Sequence, residues 1–427
     1  MLFLIRSGTD SRSSNHTASS VKSEWPDSLI VRLDQEDADA LNRILCTSGE
    51  PFFIVLGAGD TVLPGFRAAL KQSLQQLEPS DAGFIAQKES VNGVQADRLL
   101  PPLPLVWRTE AVLNRDDGGF QTMTQLPFPS YIFHERMLQL KRSWNWPVLK
   151  GLPLYQAAQR TPSWMQLDRE WALLAPILAG ERQAVAQERE PVISVVLCMY
   201  NASDYMLWAV RSVLIQTYPD WELILVDDGS NDATDMVLKS NPLLQDTRIR
   251  MLSHPSNLGK AAALNTALAC ARGRWLLELD ADDWLCVDAL ETLARGALAN
   301  PEAGAIYADQ IEWLERHNKQ LVLRGIARAC DTPTIHHLLD RPVPLAPRMY
   351  RTALLRKLGG WLTDDPYGGR LYEDIQMLVR VMELRQLYRI PMGLYHRRLR
   401  AASVSQQNKE RYGIWKRWMT AKLSIRD

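Results

Sequence analysis

Along the C-terminal half, apolar residues fall into short runs separated by polar turns. Ile193 to Tyr200 (ISVVLCMY) and Glu222 to Val226 (ELILV) are rich in β-branched side chains, the pattern of strands buried on both faces. Between them Ser203 stands ahead of Leu207, Val210, Val213 and Leu214 at helical spacing, and Pro219-Asp220 turns the chain. Helices are predicted near Asp232 to Ser240 and from about Leu258 to Cys270, with strands at Ile249 to Leu252 and Trp275 to Leu279 (WLLEL). Strand and helix thus alternate at crossover spacing. That predicts an α/β fold on a mostly parallel sheet with helices on both faces.

A chain of 427 residues exceeds what one core serves, so more than one domain is expected. Residues 1–24 include the polar, Ser-rich stretch Ser7 to Ser23 and are expected to form a disordered leader. A less regular module follows over 25–160, then a helical connector over 161–190 ending in the charged run Gln187 to Glu190. The sharp α/β rhythm spans 191–407, and 408–427 forms a basic amphipathic tail.

Lys+Arg and Asp+Glu each total 49, so no basic excess points to nucleic acid. Five scattered cysteines make neither a disulfide framework nor a zinc pattern, and no run reaches the 18 or so apolar residues of a membrane span. A cytoplasmic protein is expected. In the tail, Ile414, Trp415, Trp418, Met419 and Leu423 share one helical spacing among Lys416, Arg417, Lys422 and Arg426. Packing on the domain is the favoured reading, and peripheral contact with the inner face of a membrane is the alternative.

In open parallel sheets ligands gather at the carboxyl ends of the strands. Here those ends carry Tyr200-Asn201, Asp227-Asp228-Gly229-Ser230 and Asp280-Ala281-Asp282-Asp283. Two acidic clusters at one rim are rationalised by a shared cation or a ligand that brings one. A divalent ion (Mn or Mg) held by Asp280 and Asp282 fits the binding of a diphosphate, since alternation along an extended segment puts both carboxylates on one side. Asn257, Gly259 and Lys260 open a helix where free N–H groups and a cation face phosphate.

The order of ISVVLCMYN, LVDDGSND, SNLGKAAALNTAL and LELDADDWLCVDAL resembles the family 2 glycosyltransferases of the GT-A fold, over roughly Pro191 to Gln407. The resemblance implies an inverting transfer of a sugar from a nucleotide-sugar donor to a hydroxyl of a saccharide or lipid-linked glycan acceptor, in surface polysaccharide synthesis. It implies that Tyr200, Asn201, Asp227 and Asp228 hold the nucleoside, that Asp280 and Asp282 hold metal and diphosphate, and that Asp374 is the base that deprotonates the acceptor. Arg397 and Arg400 are read as phosphate contacts; His396 is surface or ligand, and Trp361 is core or acceptor-side. Arg400 stands before Ser403-Val404-Ser405 where relatives often carry a metal-binding His, which weakens the implied metal dependence. The rival reading is a non-catalytic nucleotide-sugar sensor or scaffold. A dinucleotide oxidoreductase fails because Met199 to Ser203 lacks GxGxxG.

The N-terminal half reads as a degenerate, partial copy of the same module. Phe53 to Asp60 (FIVLGAGD) matches Leu276 to Asp283 (LLELDADD), Trp107-Arg108-Thr109 with Gly118-Gly119-Phe120 matches Tyr350-Arg351-Thr352 with Gly359-Gly360-Trp361, and Gly151 to Tyr155 matches Pro391 to Tyr395. Gly57 and Gly59 stand where Asp280 and Asp282 do, and His134 falls near the place of Asp374. A catalytically silent unit that packs on the active domain or helps hold the acceptor is expected.

Overall fold

The computed structural model describes residues 1–6, 11–33, 37–87, 103–113, 119–120, 131–141, 143–150, 155–156, 164–179, 190–241, 244–316, 321–340, 345–400 and 408–423. Gly118, Gly151 to Leu154 and Ser403 to Ser405 lie outside them. The chain divides into two compact units, Met1–Ala179 and Gly180–Asp427.

The first unit runs β1 (Leu2–Arg6), α1 (Ser11–Glu24), β2 (Leu29–Leu33), α2 (Ala38–Ser48), β3 (Phe52–Gly57), β4 (Thr61–Val62), α3 (Phe66–Leu74), β5 (Gly83–Gln87), β6 (Val106–Arg108), α4 (Thr109–Val112), α5 (Ile132–Leu140), β7 (Val148–Lys150), β8 (Tyr155–Gln156) and α6 (Trp164–Ala179). The second runs β9 (Ile193–Met199), α7 (Met206–Leu214), β10 (Trp221–Asp227), α8 (Thr234–Ser240), β11 (Ile249–Ser253), α9 (Lys260–Cys270), β12 (Trp275–Glu278), β13 (Trp284–Leu285), α10 (Ala289–Ala299), β14 (Ala305–Glu315), β15 (Leu321–Ala327), α11 (Ile335–Asp340), β16 (Arg348–Arg351), α12 (Thr352–Lys357), α13 (Glu373–Met382), β17 (Leu387–Leu399) and α14 (Tyr412–Lys422).

In the second unit the sheet order is β11-β10-β9-β12-β16-β14-β17-β13, with β15 paired to β14. The strands from β11 to β12 are parallel, as expected from the alternation. Beyond them β16 runs antiparallel to both β12 and β14, so the sheet is more mixed than expected. Each central strand is buried on both faces. Val195, Leu197, Leu223, Leu225 and Leu277 join one core with α7 and α10, while Val196, Ile224, Val226 and Leu276 join the other with α9, α13 and α14. That division explains why these runs show no polar alternation. The tail helix α14 buries Trp415 and Met419 in the second core, which is the packing expected for it.

The expected disordered leader is instead structure. β1 lies inside the first sheet, hydrogen-bonded to β2 and β3, and α1 buries Ser14, Thr17, Ala18 and Val21. The stripe has helical spacing, but two of its four residues, Ser14 and Thr17, are hydroxyl-bearing and Ala18 is small, which hides it from a hydrophobic pattern. The hydroxyls of Thr17, Ser19, Ser20 and Ser23 donate to carbonyls three or four residues back. The expected connector is likewise part of this unit over Trp164–Ala179, where Glu170 accepts from the Tyr131 hydroxyl at 3.1 Å.

Strand for strand the two units share one topology. The first sheet is β2-β1-β3-β6-β5-β7 and the second contains β10-β9-β12-β16-β14-β17 in the same order. Every pairing has the same sense: parallel for the first two, antiparallel for the next two, parallel for the last. Register fixes residue equivalences, because Phe53 faces Trp107 as Leu276 faces Tyr350. A finer match is an asparagine clamp. Asn42 accepts from the Phe120 N–H and donates to its carbonyl, both at 2.8 Å, and Asn265 does the same to Trp361 at 2.8 Å. The preceding Gly119 and Gly360 have φ of 82° and 73°, and a Cβ on either would strike the asparagine Oδ1 at 2.5 and 2.2 Å. The first unit omits the α8–β11 segment, since only Asp34 to Asp37 separate β2 from α2.

Candidate active site

β9 and β10 end side by side, and their loops are laced together. The Asn201 N–H donates to Ser230 Oγ at 2.9 Å, and Asn201 Oδ1 accepts from the Asn231 N–H at 2.9 Å. Asn201 holds φ 52°, a left-handed conformation that its short amide side chain tolerates, and Tyr200 beside it is exposed. Asp227 is buried and accepts from the Ser230 N–H at 3.0 Å, closing the turn. A Cβ on Gly229 would lie 2.6 Å from Ser256 Cα, so this turn and the 254–259 loop approach as only glycine permits.

Asp228 faces inward. It accepts from His254 Nδ1 at 2.7 Å and from the N–H groups of Leu258 and Gly259 at 2.9 and 2.8 Å. Its carboxylate therefore fixes the loop that delivers Lys260.

Lys260 opens α9 and reaches Asp280 at 2.6 Å and Glu373 at 2.9 Å. Burial works against its charge, but these two carboxylates outweigh it and hold the ammonium well above the usual lysine range. Asp280 follows β12 and donates its N–H to the Tyr395 hydroxyl at 3.2 Å. Burial raises its carboxyl, yet Lys260 and Arg348 reverse that and hold it well below the ordinary value.

Arg348 joins the two sides of the site. It is buried on β16 and extends Nη2 to Glu278 at 3.2 Å and to Asp280 at 3.6 Å, while Nη1 reaches Asp374 at 3.4 Å. Asp374 is the second residue of α13, is partly exposed, and also accepts from the Ile375 N–H at 2.8 Å. Burial pushes the Glu278 carboxyl up, against the pull of Arg348 and Lys260; Glu373 is raised for the same first reason, with Asp374 adding to it.

Asp282 is ion-paired to Arg400. The Arg400 and Arg398 guanidiniums each lie 4.7 Å from the centroid of the Tyr205 ring, and Arg398 also binds Glu315 at 3.1 Å. Asp283 is buried, accepts from the Arg398 N–H at 2.7 Å, and is raised by burial together with the charges of Asp282 and Asp280. Arg397 points to Glu312 at 3.7 Å, close enough for its charge to help lower Asp280.

Three expectations are corrected or resolved. His396 is neither surface nor ligand: it is fully buried, stacked on Trp284 with centroids 5.0 Å apart, and its Nδ1 accepts from Trp313 Nε1 at 2.9 Å. Burial pushes the imidazole down to about 3, so the ring is neutral and its proton sits on Nε2 facing Cys286. Trp361 is core, held by the asparagine clamp. His134 is the third residue of α5, one place along from where Asp374 stands in α13, and is buried against Trp171 with ring centroids 5.2 Å apart.

Among the described residues no group of three His, Cys, Asp or Glu is arranged to hold a metal by itself. Asp280 and Asp282 supply hard oxygen donors, the type a cation shared with phosphates uses, but both are engaged by basic side chains. Sequence reading missed Arg348, Glu278, Glu373 and His254. A charged pair inside strands otherwise buried on both faces was the available signal for Arg348 and Glu278.

Residues 194–373 match the family model described as glycosyl transferase family 2. The uncharacterized protein y4gI of Sinorhizobium fredii is 30% identical over 253 residues, covering 56% of this chain and 26% of that protein. The putative teichuronic acid biosynthesis glycosyltransferase TuaG of Bacillus subtilis is 43% identical over 102 residues, covering 24% and 40%. The chain thus spans less than half the length of these relatives. Among solved structures, S. aureus TarS 1–349 in complex with UDP aligns at 19% identity and a TM-score of 0.42, covering 55% of this chain and 66% of that one. With its strand-end acidic motifs in order on a mixed α/β sheet, the segment 194–373 belongs to glycosyl transferase family 2.

Proposed function

We propose that the C-terminal unit moves a sugar from a nucleotide-sugar donor to a hydroxyl of a saccharide or glycan acceptor, with inversion. The carrying observation is that Arg348 ties Asp280 to Asp374, so the donor-side acid and the base belong to one cluster. Asp374 takes the acceptor proton as the hydroxyl oxygen bonds to the anomeric carbon. The bond from that carbon to the diphosphate breaks, and the nucleoside diphosphate departs with the electron pair. Lys260, Arg397 and Arg400 supply positive charge for the leaving group; Tyr200, Asn201 and Asp227 form the floor for the nucleoside. Asp280 and Asp282 would hold a divalent ion with the diphosphate, and that ion would neutralise the developing charge. The likeness to a named teichuronic acid enzyme supports a role in surface polysaccharide synthesis. Five free cysteines support a reducing, cytoplasmic setting.

Nucleoside diphosphate release from UDP-, GDP- and dTDP-sugars, with manganese or with chelator, tests the reading. Asp374→Asn is expected to lower release by about 10² to 10⁴-fold. Unchanged turnover in that variant rejects the assigned base. One observation favours a second reading, donor binding without turnover: Arg400 caps Asp282. That reading requires calorimetric binding of UDP with no release from any donor.

A further inference from the structure

The two units provide an internal control for the buried charges at the site. Where β12 and β16 place Glu278 opposite Arg348, β3 and β6 continue their register to place Val55 opposite Leu105, whose carbonyl accepts from the Val55 N–H at 3.1 Å. Both are buried. The remaining members of the cluster are replaced along with them. Asp280 corresponds to Gly57, and the first two residues of α5, Ile132 and Phe133, are buried apolar groups where α13 begins with Glu373 and Asp374. Matching Asn42 to Asn265 aligns Lys260 with Asp37, which caps α2 by accepting from the Ala40 N–H at 2.7 Å. The asparagine clamp and the buried Asp60, counterpart of Asp283, are kept. This topology thus closes without the buried ions, but the unit that keeps the acidic motif keeps all of them.

Resting on the glycosyl-transfer reading, we infer that Arg348 is a positioning residue for the reaction and that Glu278 is its buried counter-ion. Arg348 is buried, with its guanidinium 3.6 Å from Asp280 and 3.4 Å from Asp374. It acts by holding both carboxylates at a fixed spacing, the base toward the acceptor and the donor-side acid toward the diphosphate. Glu278, itself buried beneath the rim, anchors the guanidinium so that neither carboxylate draws it out of place. A planar guanidinium spreads five donors over separate nitrogens and so holds carboxylates on two sides at a fixed spacing, whereas an ammonium gathers its three donors on one nitrogen.

The test separates positioning from plain structural support. Arg348→Leu strands a buried carboxylate and is expected to lower the melting temperature. Glu278→Val with Arg348→Leu, the residues found at 55 and 105, is expected to recover that loss, while nucleoside diphosphate release stays at least about 100-fold below wild type. Arg348→Lys keeps a charge for Glu278 and is expected to retain the fold, with kcat down more than about tenfold and donor KM within about threefold. Return of activity together with stability in the double variant, or wild-type kcat in Arg348→Lys, overturns the inference. A wild-type protein that releases no nucleoside diphosphate from any UDP-, GDP- or dTDP-sugar sinks the glycosyl-transfer reading, and this inference with it.

Discussion

The two units of this chain are the same arrangement of strands carrying different chemistry. Both keep the sheet order, the asparagine clamp beneath a left-handed glycine, and the buried aspartate after the third strand of the sheet. The first lacks the α8–β11 crossover and the acid pair. What the two units share is what the fold requires, and what only the second has is what the proposed reaction would use. The difference sorts the polar residues of the second unit: Asn265 and Asp283 fall on the side of the fold, Glu278, Arg348 and Asp374 on the side of the proposed chemistry.

The comparison can be broken most forcefully by transplanting residues. Asp280→Gly with Asp282→Gly gives the second unit the residues of the first, and is expected to cut nucleoside diphosphate release by about 10³-fold or more with the fold intact. Retention of a sizeable fraction of wild-type turnover would show that glycines at these two places do not by themselves abolish the proposed reaction.

A smaller effect concerns acid. Register places Gln156 opposite Thr61 where His396 faces Trp284, so only the second unit buries an imidazole there. With its folded value about 3 against 6.5, the unfolded chain takes up the proton first. Stability from this group is complete above about pH 6.5 and falls with pH by up to ~1.4 kcal/mol per unit, about 3 kcal/mol by pH 4. Urea unfolding followed by fluorescence at several pH values should show His396→Gln with a slope flatter by up to one proton. An unchanged slope would contradict the buried neutral ring.

The smallest effect sharpens the likeness. Asn42→Ala and Asn265→Ala each strip two backbone partners, and each is expected to cost about 2 kcal/mol in its own unit by thermal or urea unfolding. A loss at one position alone would mean the clamp matters in only one copy.

Much of this was readable from the chain. The runs at Ile193, Glu222, Ile249 and Trp275 became β9, β10, β11 and β12, because short β-branched segments between turn residues leave few alternatives. The repeat was readable because Trp107-Arg108-Thr109 and Tyr350-Arg351-Thr352 share a local pattern, which the register reproduces. The α1 helix was not, since its buried face is Ser14, Thr17 and Ala18, residues also common in disordered segments. Nor was the role of Asp228: only tertiary structure brings His254 and the Leu258 and Gly259 amides onto its carboxylate. The carboxylate partners of Arg348 come from the end of β12 and the start of α13, so nothing local to β16 announces them.

Around Lys260 and Arg348, four carboxylates face two cations, and burial already pushes Glu278 and Glu373 toward their neutral forms. Such a cluster is costly to bury, a cost that the proposed transfer would account for. A unit with no such reaction to serve is free to hold apolar pairs such as Val55 and Leu105 in the same places, with no adaptive cause required.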